Sequence, residues 1–140
     1  MPKKDYYTLY FDGACRGNPG KASLGGVIYN ADNEEIINFK KCIGIATNNV
    51  AEYSAILAGI KVLIKYKIRD VYIYGDSKLV IEQLNGNWQV KSETLKPYYQ
   101  QIKALLTREY FDKIKILHVK RRLNKRADEL ANLALDNENN

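Results

Sequence analysis

Cysteine is scarce. Cys15 and Cys42 are too few for a disulfide framework and too far apart for a C-x-x-C metal pair. A reducing, cytoplasmic setting is the simplest expectation. Histidine is scarcer still: His118 stands alone, which argues against a zinc site. No apolar run approaches the roughly 18–20 residues of a membrane span. Met1-Pro2-Lys3-Lys4-Asp5 leads straight into a strand-like stretch, which argues against a secretory leader. Apolar side chains are not lacking. At 46% hydrophobic and 27% charged, the composition excludes a disordered, collagenous or fibrous chain. With 140 residues the expectation is one domain over 1–140, its core from about 6 to 135.

Negative charge is the minority sign. Sixteen Asp and Glu face 22 Lys and Arg, a net charge of +6. Such a balance suits a polyanionic partner, because Lys and Arg displace counterions from phosphates. Solubility alone would explain it equally well.

The hydrophobic period sorts the chain into elements. Tyr7, Leu9 and Phe11 alternate with Thr8, Tyr10 and Asp12, which predicts a strand over Tyr6–Asp12. The glycines from Gly13 to Gly20, with Asn18-Pro19-Gly20 among them, predict tight turns. Further strands are expected over Leu24–Asn30 and Glu35–Gly44, completing an antiparallel meander. From Asn48 the period changes: Ile56, Ile60, Leu63 and Ile64 predict a helix to about Tyr66. Val71–Asp76 reads as a strand, and Ser77 as the N-cap of a short helix ending near Asn85. Pro97 can open a helix through Leu106. Ile114–Lys120 reads as the last strand, with His118 on its face, and Arg126 to Leu135 as the closing helix. The tail Asp136–Asn140 is expected to fray. The order β-β-β-α-β-α-α-β-α describes an α/β domain: a five-stranded mixed sheet, meander plus parallel strands, flanked by helices.

Four acids stand out. Asp12 and Asp76 each close a predicted strand, where ligand sites of open α/β sheets form. Either could instead be a turn former or a cap. Glu52 shares the apolar stripe of Ile56, Ile60 and Leu63, where an unpaired carboxylate is costly. Its closeness to the helix start offers another account, an escape to solvent or to the dipole. Asp128 borders the packed face of Ala131 and Leu135. Before it come Lys120, Arg121, Arg122, Lys125 and Arg126, cations that oppose the dipole at a helix start but would suit a phosphate. A solvated face is the alternative. Oxygen ligands gathered from these acids would suit Mg²⁺ or Mn²⁺.

These residues resemble a known family, the type 1 ribonuclease H domains. The likeness runs from about Tyr6 to Leu135. It rests on Tyr10-Phe11-Asp12-Gly13 with Gly17-Asn18-Pro19-Gly20, on Thr47-Asn48-Asn49-x-x-Glu52, on Gly75-Asp76-Ser77 and on Asn124-x-x-Ala127-Asp128-x-Leu130-Ala131. The resemblance implies a ribonuclease H-like fold, with Asp12, Glu52, Asp76 and Asp128 as metal-binding catalytic carboxylates. It implies two-metal cleavage, with Mg²⁺ or Mn²⁺, of the RNA strand of RNA/DNA hybrids, leaving 5′-phosphate and 3′-hydroxyl ends. By the same likeness Gly13, Arg16, Asn18 and Asn48 face the nucleic acid, and Thr47 matches a position that contacts a DNA phosphate. Asn18 and Asn48 are also good turn and cap residues.

Two departures matter. Many members carry a mobile loop histidine shortly before the last aspartate. Here the stretch Lys120–Asn124 is expected to run on as strand without room for that loop, and Arg121 or Arg122 could stand in. The basic, Trp-rich protrusion of some members also looks absent, since Asn85–Pro97 holds one Trp88 with Lys91 and Lys96. Hybrid affinity would then rest on the sheet end and on Arg121, Arg122 and Lys125. No membrane and no obligatory protein partner are expected, and nothing demands more than a monomer. The competing readings are a non-catalytic nucleic-acid-binding domain of the same fold and a metal-dependent phosphatase or nuclease of other specificity, including one that also cuts double-stranded RNA.

Overall fold

A computed structural model describes residues 5–138. Met1–Lys4 and Asn139–Asn140, part of the N-terminal start and of the C-terminal tail, lie outside the described residues. The elements are β1 (Tyr7–Gly17), β2 (Gly20–Tyr29), β3 (Glu35–Ala46), α1 (Asn48–Lys65), β4 (Asp70–Gly75), α2 (Lys78–Leu84), α3 (Lys96–Leu105), β5 (Lys113–His118) and α4 (Lys125–Glu138). They form a five-stranded sheet in the order β3-β2-β1-β4-β5. β1, β2 and β3 are antiparallel, while β4 pairs parallel to β1 and β5 parallel to β4.

Both faces are built on alternation. Leu9, Phe11, Ile28 and Ile73 point to one side, where Ile56, Ile60 and Leu63 of α1 cover them. Each of these fully buried side chains is worth about 1.5–3 kcal/mol of transfer energy. Thr47 starts α1, its hydroxyl accepting the Val50 N–H at 3.2 Å. Ser77 starts α2 in the same way through Val80. On the opposite face α4 packs over β1, β2 and β3. No helix of the described residues is long and apolar enough to cross a membrane.

Four expectations need correction. β1 does not stop at Asp12 but runs to Gly17, and β2 starts at Gly20, leaving only Asn18-Pro19 between paired residues. Of the glycines that read as a turn, Gly17 and Gly20 close the hairpin around Asn18-Pro19, but Gly13 sits within β1, where it admits α1. A Cβ at Gly13 would lie 2.5 Å from the Glu52 nitrogen. β3 likewise runs on past Gly44 to Ala46. Beyond β5 the stretch Arg121–Leu123 is a 3₁₀ turn, not strand, because the Asn124 side chain is drawn inward to the Phe11 carbonyl. Finally, α4 holds Asp136–Glu138 in helix rather than letting them fray, and Arg16 on β1 pairs with Asp136.

Candidate active site

Asp12 lies inside β1, at the point where that strand loses a partner. The parallel pairing with β4 ends at Tyr10–Tyr74, after which β1 is bonded to β2 alone. Asp76 follows the last residue of β4. The two carboxylates therefore meet at the end of the parallel strands, on the face shared with Thr8 and Tyr10.

Two glycines let helices come down on this point. Gly13 admits α1, whose Glu52 accepts the Gly13 N–H at Oε1, 3.0 Å. Gly25, opposite Asp12 in register, admits α4: a Cβ there would lie 2.5 Å from the Ala131 nitrogen and 2.6 Å from the Ala127 oxygen. Ser23 fastens the same helix, donating its hydroxyl to the Ala131 carbonyl.

Asp12, Glu52 and Asp76 each offer a carboxylate oxygen within 4.8 Å of the others. Asp12 is 4% exposed and Glu52 8%, so Glu52 is buried as its apolar stripe suggested, and the alternative of an escape to solvent does not hold. Asp128 stands outside this trio. It is half-buried on α4, and its Oδ1 accepts from Asn132 Nδ2 at 3.2 Å. It still acts on Asp12.

Burial, then the charges of Glu52 and Asp76 and the contact with Asp128, push the Asp12 carboxyl well above the usual range. Burial also raises Glu52, opposed by its contact with the Asp12 carboxyl, the Gly13 N–H and the Arg121 guanidinium. The chemistry of the set fits a divalent cation. Three hard oxygen donors converge, and Glu52 Oε2 is buried with no hydrogen-bond partner among the described residues.

Asn124 is the residue that sequence reasoning left without a role. It is 1% exposed, and its Nδ2 donates both to the Phe11 carbonyl at 2.8 Å and to Asp76 Oδ2 at 2.9 Å. Its own backbone carbonyl accepts the Asp128 N–H at 3.2 Å. One residue thus ties together β1 beside Asp12, the Asp76 carboxylate and the start of α4. The signal lay in the Asn124-x-x-Ala127-Asp128 motif, but the fastening is tertiary.

The other candidates divide. Asn18, Thr47 and Asn48 line one groove of about 390 Å³ with Asn49, Ser92 and Thr94, and Asn18 Oδ1 accepts the Asn48 N–H at 3.1 Å. Arg121 is close enough to act on Glu52, and Arg122 and Lys125 are exposed beside it. Arg16 is instead engaged with Asp136, and the Gly13 N–H is spent on Glu52. Arg126 is claimed by Glu35 and Glu129, so it leaves the cation cluster.

A sheet of this order, with carboxylates at the end of its central strands, defines a ribonuclease H-like protein. The family model described as "Reverse transcriptase-like" matches residues 10–134. A ribonuclease HI of Halobacterium salinarum is 43% identical over 127 residues, covering 91% of this chain and 63% of that protein. The crystal structure of RNase H1 from the same archaeon superposes with a TM-score of 0.90 at 41% identity, over 94% of this chain and 98% of that one. LC11-RNase H1, solved in complex with an RNA/DNA hybrid, superposes at 0.89 with 35% identity, over 96% and 99%. The chain belongs to the reverse transcriptase-like family, and ribonucleases H are among its relatives. It spans 63% of the Halobacterium protein and 34% of the mycobacterial relatives it matches.

Proposed function

We propose that the protein is a ribonuclease H, an endonuclease that hydrolyses the RNA strand of RNA/DNA hybrids to 5′-phosphate and 3′-hydroxyl ends. Asp12, Glu52, Asp76 and Asp128 are its catalytic carboxylates and hold two Mg²⁺ ions, with Mn²⁺ able to substitute. The carrying observation is the carboxylate trio, with Asp12 and Glu52 buried and a Glu52 oxygen that has no hydrogen-bond partner among the described residues. A binding-only domain has no use for buried charges that repel phosphate. The chain acts as a monomer and needs no protein partner.

When bound, the divalent ions supply charge stabilisation for the phosphate and a nucleophilic water at neutral pH. The chain's own residues do the rest. The Gly13 N–H and the Asn124 amide fix one oxygen each of Glu52 and Asp76. The groove of Asn18, Thr47 and Asn48 presents hydroxyl and amide groups to a phosphate of the DNA strand. Arg121 takes the place of the loop histidine. A guanidinium keeps its proton at neutral pH, so Arg121 holds phosphate charge rather than passing a proton.

The deciding experiment sets hybrid, duplex RNA and duplex DNA side by side with Mg²⁺, with Mn²⁺ and with chelator. Cleavage of the RNA strand of the hybrid, lost in chelator, is the expected result. No cut on any hybrid, or undiminished cutting in chelator, sinks the reading, and equal cutting of duplex RNA widens the specificity.

The cation cluster has its own test. Replacing Arg121, Arg122 and Lys125 together with Ala should weaken hybrid binding in chelator. The slope of log affinity against log salt should flatten by about 2–3 units, near 0.9 per lost phosphate contact. An unchanged slope would make these side chains a solvated helix end.

A further inference from the structure

The face of the sheet that carries Asp12 and Asp76 is only half covered. α4 packs over β1, β2 and β3, and β4 and the edge strand β5 lie beyond it. Alternation leaves a row of their side chains toward the surface. Tyr10 of β1 stands beside Tyr74 of β4, Tyr72 stands beside Lys115 of β5, and Tyr74 beside Leu117.

The rings gather in two groups along this face. Tyr6 stacks on Tyr72 at 3.9 Å, Tyr10 stacks on Tyr74 at 5.0 Å, and Tyr10 meets Tyr29 edge-on at 5.9 Å. The Lys113 and Lys115 ammoniums lie 6.0 and 5.6 Å from the centre of the Tyr72 ring. Leu117 is 37% exposed. Toward α4 the face ends in a cleft of about 260 Å³, lined among others by Tyr10, Tyr29, Leu123, Asn124 and Arg126. Asn124 also holds Asp76, so this surface is continuous with the carboxylate site.

A sheet face needs only apolar cover, and leucine or valine would give it. Tyrosine rings with two ammoniums gathered on one of them offer more. They provide flat apolar surface, polar rims and positive charge at the outer strand. We propose that this face binds single-stranded nucleic acid, with one unpaired base in the cleft of Tyr10, Tyr29 and Leu123 and the adjoining phosphates running toward Lys115 and Lys113.

The chemistry selects that occupant. An unpaired base has an exposed ring for aromatic and leucine contact and a free edge for phenolic hydroxyls. In a duplex both are hidden by pairing and stacking. Phosphates complement the two lysines, though Asp70 opposite Lys113 moderates the charge at that end. A second copy of the chain fits poorly, because a two-fold contact through this face would set lysines against lysines.

The test uses the whole chain with chelator present, so that nothing is cleaved. Fluorescence anisotropy follows labelled RNA and DNA single strands of about 12 nucleotides, within the span such surfaces bind. The variant is Lys113→Glu with Lys115→Glu, both exposed and both outside the machinery assigned to the hybrid. The wild type should bind the single strands, and the double variant at least about fivefold more weakly. Its slope against log salt should be flatter by about 1.4 units, near 0.7 per lost contact. Cleavage of a blunt hybrid with Mg²⁺ should be unchanged. Equal affinity and slope in both proteins would overturn the proposal. So would a parallel loss on the blunt hybrid, or light scattering that finds a dimer which the double variant breaks. None of these outcomes touches the ribonuclease H reading, since single-strand binding is measured without cleavage and a loss by the variant on the blunt hybrid presupposes a wild type that cuts it.

Discussion

Asp76→Asn should fold, bind a hybrid and cut it about a thousandfold or more slowly than the wild type, the scale seen when a catalytic ligand is removed. The geometry separates the two effects. Asp76 Oδ2 accepts from Asn124 Nδ2, and an asparagine at 76 can turn its carbonyl oxygen to the same donor. The tie between β4 and the turn before α4 is therefore kept. The negative charge and the second carboxylate oxygen are lost. Asp76 is less buried than Asp12 and Glu52, so the substitution disturbs no packed apolar neighbour. Circular dichroism and thermal melting check folding, and single-turnover cleavage of a hybrid checks the rate. Cleavage within about tenfold of wild type would remove Asp76 from the catalytic set.

Local periodicity made much of this molecule legible. Alternation around Leu9 and Phe11 and the three- and four-residue spacing of Ile56, Ile60 and Leu63 placed the strand and helix that carry Asp12 and Glu52. The anomaly of a glutamate on an apolar stripe pointed to a buried group, and Glu52 is buried. The features that local pattern missed depend on distant contacts. Gly13 read as a turn because glycine favours turns, whereas here it is strand that lets α1 approach. Arg16 read as facing the nucleic acid and Arg126 as part of the cation cluster, yet Asp136 and Glu35 reach them once α4 lies on the sheet, while Glu129 is a local partner three residues along the same helix. The inward pull of Asn124, which bends Arg121–Leu123 into a 3₁₀ turn, joins residues 113 and 48 positions apart. No window along the chain contains that information.

Asp12→Asn should melt about 5 °C higher than the wild type in chelator near neutral pH, while losing cleavage. The groups acting on Asp12 are the acids Glu52, Asp76 and Asp128, and burial adds to their effect. Like charges at about 4 Å repel by about 4 kcal/mol at an effective dielectric near 20, and solvent at the rim of the site lowers that. A relief of about 1–2 kcal/mol, at about 3–4 °C for each in a domain of this size, gives the stated shift. Asparagine also brings an N–H donor toward Glu52 Oε2, which has no partner. The sign with pH is set by the raised values. An acid whose folded pKa lies above its unfolded one destabilises the fold increasingly as pH climbs past the ordinary values of 3.8 for Asp12 and 4.5 for Glu52. The penalty is complete only above the raised folded values. Near pH 4 the unfolded Asp12 is only about half ionised and the unfolded Glu52 mostly protonated, so most of the penalty is gone and the advantage of the variant should shrink. Mg²⁺ should raise the wild-type melting temperature more than the variant's, because the intact cluster holds the ion in the folded state alone. Melting curves of both proteins in chelator, at neutral pH and near pH 4, check the sign. A variant that melts lower than wild type at neutral pH would make Asp12 a structural hydrogen-bonding residue whose charge the fold tolerates.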